Sequence, residues 1–152
     1  MSWSPPALST KRLELTSLAE SGAALLRSDK KIDLDACAGL PGNWTISLKR
    51  SGQPIGSIGF IRWERERQWA EIGFIMKHTE RRKGYMSEAC EAVIDFGFRV
   101  MRLRTIEGRS MPENQASIHL LKKVGMRREG RVRARLSSKG ALVDLDVFRI
   151  RK

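Results

Sequence analysis

The sequence predicts a single α/β domain, a mostly antiparallel sheet flanked by helices. Three observations lead there. The chain has 152 residues, enough to bury about two-thirds of its unfolded surface in one core without disulfide or metal support. Its middle third passes from period-two alternation, ending near Met76, to a helical period beginning at Gly84. Its last third holds two arginine-rich strand patterns on either side of Ser137-Ser-Lys-Gly140. With 41% hydrophobic and 30% charged residues, 13 Gly and 5 Pro, the composition is globular, not disordered or fibrous, and a two-domain enzyme does not fit the length.

Lys11 to Leu18 reads as a first strand, followed between Glu20 and Leu40 by short helical patterns broken at Ser28-Asp29 and Gly39-Leu-Pro-Gly. Trp44, Ile46 and Leu48 alternate with Thr45, Ser47 and Lys49, and Arg50-Ser-Gly-Gln-Pro turns the chain into a strand over 55–61. A second hairpin through Glu64 to Gln68 leads into Trp69 to Met76. There Trp69, Glu71, Gly73 and Ile75 share one face, and Ala70, Ile72, Phe74 and Met76 the other, so Glu71 is an acid inside an apolar strand. From Gly84 to about Arg102 a helix has an apolar stripe of Met86, Ala89, Cys90, Val93, Phe96, Gly97 and Val100. Its opposite face carries Glu88, Glu91, Asp95, Arg99 and Arg102, acids early and arginines late as the helix dipole favours. Arg104 to Arg109 is a short strand, Asn114 to Val124 a second helix closed by Gly125, and Arg127 to Arg135 with Ala141 to Ile150 a terminal hairpin.

The net charge is +12, and residues 101–152 hold 14 of the 29 basic side chains but 5 of the 17 acids. Such an excess attracts polyanions. A symmetric Ser137–Gly140 turn would oppose residues whose numbers sum to 277, setting Arg133 against Asp144 and Arg131 against Asp146. A solvated, ion-paired hairpin therefore accounts for the arginines better than a nucleic-acid surface, and no aromatics interleave them. Lys122, Lys123, Arg127 and Arg128 stay unpaired in this reading, which leaves only weak polyanion binding. Cys37 and Cys90 have no partner at metal-ligand spacing and read as small buried apolar residues. His78 and His119 read as peripheral. No apolar run approaches the roughly 20 residues of a membrane span, and Met1-Ser-Trp-Ser-Pro-Pro lacks a basic-then-apolar leader, so the cytoplasm is the default compartment, with no membrane partner.

The chemistry gathers at Arg81-Arg-Lys-Gly-Tyr-Met86, between a strand and a long helix. A basic loop with a glycine at a helix start aims free backbone N–H groups and the positive end of the dipole at one point, which suits a diphosphate. The pattern Arg81-x-x-Gly84-x-Met86 resembles the acetyl-CoA motif of the GCN5-related N-acetyltransferases, the GNAT family. The resemblance extends to the ribosomal-protein N-terminal acetyltransferase (RimJ/RimL-like) branch through Thr10-Lys-Arg-Leu, Ala70-Glu-Ile-Gly-Phe, Gly84-Tyr-Met-x-Glu-Ala89, Ile106-Glu107 and Asn114-x-x-Ser117-x-x-Leu-Leu-x-Lys-x-Gly125-Met. Arg128-Glu-Gly, Asp144 and Phe148 continue it. It is nearly continuous from Gln53 onward. Met86 departs from the small residue of the general motif, and the acceptor-side helical region, about 16–42 within a single domain of 1–152, looks shortened.

The resemblance implies a mixed sheet splayed between the central parallel strands, with the pantetheine arm in the gap and no metal. Backbone N–H groups near Ile75 and Met76 would bond the thioester carbonyl, and Arg81, Arg82, Lys83, Gly84, Tyr85, Met86 and Ser87 would hold the diphosphate. Asn114 is expected either to bond the pantetheine amide or simply to cap its helix. Glu71 is the catalytic base or acceptor-binding carboxylate, or alternatively a sheet acid paired with an arginine. Glu107 is an acceptor-binding residue, or an acid turned outward on a short strand. Tyr85, the sole tyrosine, sits in the diphosphate loop, which excludes a tyrosine acid. Of the polar residues Asn114, Ser117 and His119 on the later helix, the resemblance points to Ser117 as the group that protonates the leaving thiolate, or as a residue bonding its own helix backbone. The expected activity is acetyl transfer from acetyl-CoA to a primary amine, a peptide N-terminus or a small-molecule amine. The rival is a non-catalytic acetyl-CoA-binding or RNA- or ribosome-binding module. A homodimer is left open.

Overall fold

A computed structural model describes residues 5–17, 44–135 and 140–152. The helical patterns over 20–40, Cys37, the first four residues and most of the Ser137–Gly140 turn lie outside the described residues. Among the described residues eight strands form one sheet in the order β1-β2-β3-β4-β5-β6-β8-β7. They are β1 (Leu8–Ser9), β2 (Leu13–Ser17), β3 (Trp44–Leu48), β4 (Pro54–Glu64), β5 (Trp69–Met76), β6 (Thr105–Ser110), β7 (Arg127–Arg135) and β8 (Leu142–Arg151). Every neighbouring pair is antiparallel except β5–β6. That parallel pair needs a crossover, which helix α1 (Tyr85–Arg99) supplies, and α2 (Gln115–Lys123) follows β6.

Both helices cover one face of the sheet. On α1 the buried residues Ala89, Cys90, Val93, Phe96 and Gly97 follow the helical period, and Trp44 meets Phe96 edge-to-face at 5.5 Å between centroids. A Cβ on Gly97 would stand 3.0 Å from the Ile106 side chain and 3.1 Å from Phe60, so the glycine lets α1 lie close on the strands. Leu121 of α2 packs over Gly108, where a Cβ would come within 2.7 Å. Ile106 and Gly108 are two apart on β6 and share that helix face, so Glu107 points to the other.

The structure corrects three details. The helix ends at Arg99, because the chain wraps back through Leu103 amide to Gly97 carbonyl at 3.0 Å and takes a left-handed turn at Arg102. Val100 leaves the apolar stripe as the 60% exposed C-cap, and Ile94 is buried in addition. The terminal hairpin has the 277 register, with Arg133 opposite Asp144 and Arg131 opposite Asp146, and the Arg131–Asp146 pair closes at 2.8 Å. A bulge between Arg128 and Gly130 turns Arg128 onto the same carboxylate at 3.2 Å, so Arg128 is paired after all. Arg131 first, then Arg128, hold the Asp146 carboxyl below its ordinary value against a smaller opposing effect of burial. Among the described residues no helix is long and apolar enough to cross a membrane.

Candidate active site

The parallel strands β5 and β6 pair at Trp69–Thr105, Ala70–Ile106 and Glu71–Glu107, then part, although β5 continues to Met76 and β6 to Ser110. The sheet is splayed where the resemblance implied. On its other edge β5 stays on the β4 ladder to Gly56–Met76, and the Lys77 amide donates to the Ile55 carbonyl at 2.7 Å. Alternation then assigns the Ile75 amide to β4 and turns the Phe74 and Met76 amides into the gap. A Cβ on Gly56 would stand 2.5 Å from the Ile75 carbonyl oxygen, so only glycine lets β4 seat this end of β5.

Just beyond, a 3₁₀ turn (His78–Glu80) leads through Arg81 to Lys83 into Gly84, the α1 N-cap at φ +82°. The first intrahelical bond of α1 is the Glu88 amide to the Gly84 carbonyl, 3.2 Å, so the amides of Tyr85, Met86 and Ser87 have no intrahelical partner. Among the described residues no side chain caps them. The Ser87 hydroxyl turns back to the Gly84 carbonyl at 3.1 Å, Arg81 Nε donates to the Met76 carbonyl at 3.3 Å, and Lys83 pairs with Glu80 at 3.2 Å. Uncommitted amides beside Arg82, on a cap without a Cβ, fit the charge and size of a diphosphate.

This loop is tied to the N-terminal strand by a clamp that the sequence reading missed. Glu88, expected on the outer face of α1, accepts from the Thr10 hydroxyl at 2.5 Å, the Arg12 amide at 2.8 Å and Arg12 Nε at 2.8 Å. Arg12 Nη1 also donates to the Lys83 carbonyl at 3.0 Å, and its guanidinium lies 4.5 Å over the Tyr85 ring. Burial, the largest single influence on the Glu88 carboxyl, pushes it up, yet the bonds from Thr10 and Arg12 together with the Arg12 charge outweigh burial and hold it low. The readable signal was a hydroxyl and a guanidinium two residues apart, at Thr10 and Arg12 in the turn between β1 and β2, and an acid one turn into the helix.

At the point where β5 and β6 part, Glu71 is 7% and Glu107 1% exposed. Arg62 donates to Glu71 Oε1 through Nη2 at 2.6 Å and Nε at 2.9 Å. Glu107 has both oxygens engaged, Oε2 by Arg109 Nε at 2.7 Å and Oε1 by Arg149 Nε at 2.8 Å. Among the described residues nothing bonds Glu71 Oε2. The arginine partner foreseen for Glu71 is thus present, and Glu107, which a short strand could have turned to solvent, is buried in ion pairs. Arg149 and Arg151 also hold Glu129, whose carboxyl is brought down to about 2 chiefly by its bond from Arg151. Arg62, Arg109 and Arg149 escaped the sequence reading. Arg109 alone was signalled, two residues from Glu107 on the same strand face.

Asn114 caps α2, its Oδ1 accepting from the Ser117 amide at 3.1 Å, while the Ser117 hydroxyl bonds no described residue. No hydrogen bond or ion pair among the described residues joins either to Glu71 or Glu107. Tyr85 is buried under Arg12, and burial pushes the Cys90 thiol far up, so it is chemically inert.

Residues 11–127 match the acetyltransferase (GNAT) domain family. The chain is 32% identical to the N-acetyltransferase p20 of Bacillus licheniformis over 99% of its own length and 83% of that protein's. The crystal structure of a GNAT-family acetyltransferase from Bacillus anthracis superposes with a TM-score of 0.80 at 24% identity, over 96% of this chain and 98% of that one. A structure of RimL, named as a ribosomal L7/L12 alpha-N-protein acetyltransferase in complex with coenzyme A, superposes at 0.81 with 17% identity, covering 96% and 98%. The last two agree in fold, the first two in sequence as well, and the splayed strands, the glycine-capped helix and the vertex carboxylates are arranged on that fold. The chain belongs to the GNAT family of N-acetyltransferases.

Proposed function

We propose that the gap between β5 and β6 receives acetyl-CoA and that the acetyl group passes directly to a primary amine, a peptide N-terminus or a small-molecule amine. The observation that carries this reading is the parting of β5 from β6 immediately after Glu71–Glu107, beside a helix start with uncommitted amides. Acetyl-CoA supplies an activated acetyl group on a good leaving thiolate. The amides of Tyr85, Met86 and Ser87, with Arg81, Arg82, Lys83 and Gly84, hold its diphosphate, and the side-chain Nδ2 of Asn114, which bonds no described residue, donates to the pantetheine arm. The Met76 amide, next to Ile75 at the mouth of the gap, donates to the carbonyl oxygen on which charge develops.

An amine acceptor arrives protonated and must lose a proton before attack. Glu71 Oε2 takes that proton, directly or through water, while Oε1 stays fixed by Arg62. Glu107 acts on the acceptor side by holding Arg109 and Arg149 in place. The Ser117 hydroxyl, without a fixed partner, holds a proton for the departing sulfur. The test is a turnover screen with acetyl-CoA across N-terminal peptides, aminoglycosides and polyamines, with calorimetric binding of acetyl-CoA alongside. Acetylated product from at least one amine class is expected. Tight acetyl-CoA binding with no acetylation of any amine would turn the reading to the non-catalytic module.

A further inference from the structure

The face of the sheet that carries Glu71 and Glu107 also carries a cavity of about 270 Å³, lined by Arg67, Trp69, Thr105, Arg149 and Arg151. Strand register fixes its position. Trp69 and Thr105 are partners across β5–β6, two residues before Glu71–Glu107 and therefore on the same face. Across β6–β8, Arg151 is the partner of Thr105 and Arg149 the partner of Glu107. The cavity thus runs from Arg149, beside Glu107, to the Trp69–Thr105 pair, which lies ~7 Å from the two carboxylates along the strands and away from the gap.

Its described lining holds three guanidinium groups, an indole and a hydroxyl, and no acid. Arg149 and Arg151 spend part of their donors on Glu107 and Glu129, and Arg67 spends one on Glu64 at 2.9 Å. A guanidinium has five N–H donors, so each keeps some for a ligand. Arg127 also stands opposite Arg149 across β7–β8, and like charges so placed destabilise a sheet. The fold gains nothing from that pair, whereas an incoming anion would.

We propose, on the transferase reading above, that this cavity takes an acidic side chain of the acceptor, so that the preferred acceptor is a peptide N-terminus with Asp or Glu at its second or third residue. With the terminal amine at Glu71 Oε2, an extended peptide advances about 3.3–3.6 Å per residue and reaches ~7 Å at that point. A carboxylate there meets the N–H donors that Arg149, Arg151 and Arg67 keep beyond their bonds to Glu107, Glu129 and Glu64, and such charge-assisted bonds are the strong ones. A polyamine or aminoglycoside would instead drive its remaining cations against three arginines.

The experiment uses the full chain and three N-terminal heptapeptides identical except for Glu, Gln or Lys at positions two and three, with spermidine as a fourth acceptor. Initial rates with saturating acetyl-CoA are read beside calorimetric affinity for each peptide. The Glu peptide is expected to exceed the Gln peptide at least tenfold in kcat/KM, with the difference in KM, and the Lys peptide by more. High salt should shrink that ratio, as should Arg67→Gln and Arg151→Gln. Because the peptide series is read on the unaltered protein, a variant that fails to fold leaves the test intact. Equal affinities for the Glu and Gln peptides, or a preference for the Lys peptide or spermidine, would overturn the assignment. Tight, selective binding of the Glu peptide without acetylation would support the cavity and sink the transferase reading instead.

Discussion

Glu71 and Glu107 face each other across adjacent strands, yet only Glu71 keeps an oxygen to spare. The two should therefore respond differently to the same change. Glu71→Gln is expected to lower kcat by ~10²-fold to 10⁴-fold with acetyl-CoA affinity nearly unchanged, checked by single-turnover rates and calorimetry. Glu107→Gln strips the counter-charge from Arg109 and Arg149 and should cost roughly 3 kcal/mol of stability in urea unfolding, the low end for a broken buried pair because both arginines still reach water. Ser117→Ala should cut turnover by ~10-fold to 100-fold across the pH range and spare acetyl-CoA affinity, since a thiol of pKa near 8.5 needs little help to leave. At this scale the carboxylates were legible because an acid inside Ala70-Glu-Ile-Gly-Phe breaks an apolar strand. Their arginines were not. Arg62 reaches Glu71 only because a bulge between Phe60 and Arg62 shifts the β4 register, and Arg149 comes from a strand 42 residues beyond Glu107.

Among the elements, the link between the N-terminal strand segment and α1 sets the cofactor loop. With the Glu88 carboxyl held below its ordinary value, the clamp stabilises the fold fully above about pH 4.3 and loses that contribution as pH falls through the lowered value. Glu88→Gln should thus cost ~1 kcal/mol at neutral pH, with Arg12 partly open to water, and the gap between the two melting curves should close in acid. Gly84→Val is expected to weaken acetyl-CoA binding more than tenfold, because φ +82° strains a β-branched residue and its side chain would stand over the open amides. Unchanged affinity in a folded variant would move the diphosphate elsewhere. The hairpin register was readable since it needs only a symmetric turn. The clamp was not, because Arg12 and Glu88 lie 76 residues apart and helical period alone sends Glu88 to solvent.

For the molecule as a whole, the net charge is +12, and the acids of the terminal hairpin neutralise only part of the basic excess of the last third. Arg128, Arg131 and Arg133 face Asp146 and Asp144, which leaves Lys122, Lys123 and Arg127 for outside contact. Retention on heparin should be weak, fall steeply with salt, and fall again when those three are neutralised; a tight RNA complex at physiological salt would restore the binding-module reading. The parted strands carry one more consequence. A sheet that opens in its middle has, among the described residues, two rims of main chain without a strand partner inside it, where ordinary sheets keep such rims at their margins. The Phe74 and Met76 amides, though in the heart of the sheet, should then exchange hydrogen as quickly as those of a frayed terminus. A ligand whose own amides lie along that rim would act as a ninth strand, slowing their exchange and raising the melting temperature in step with its concentration.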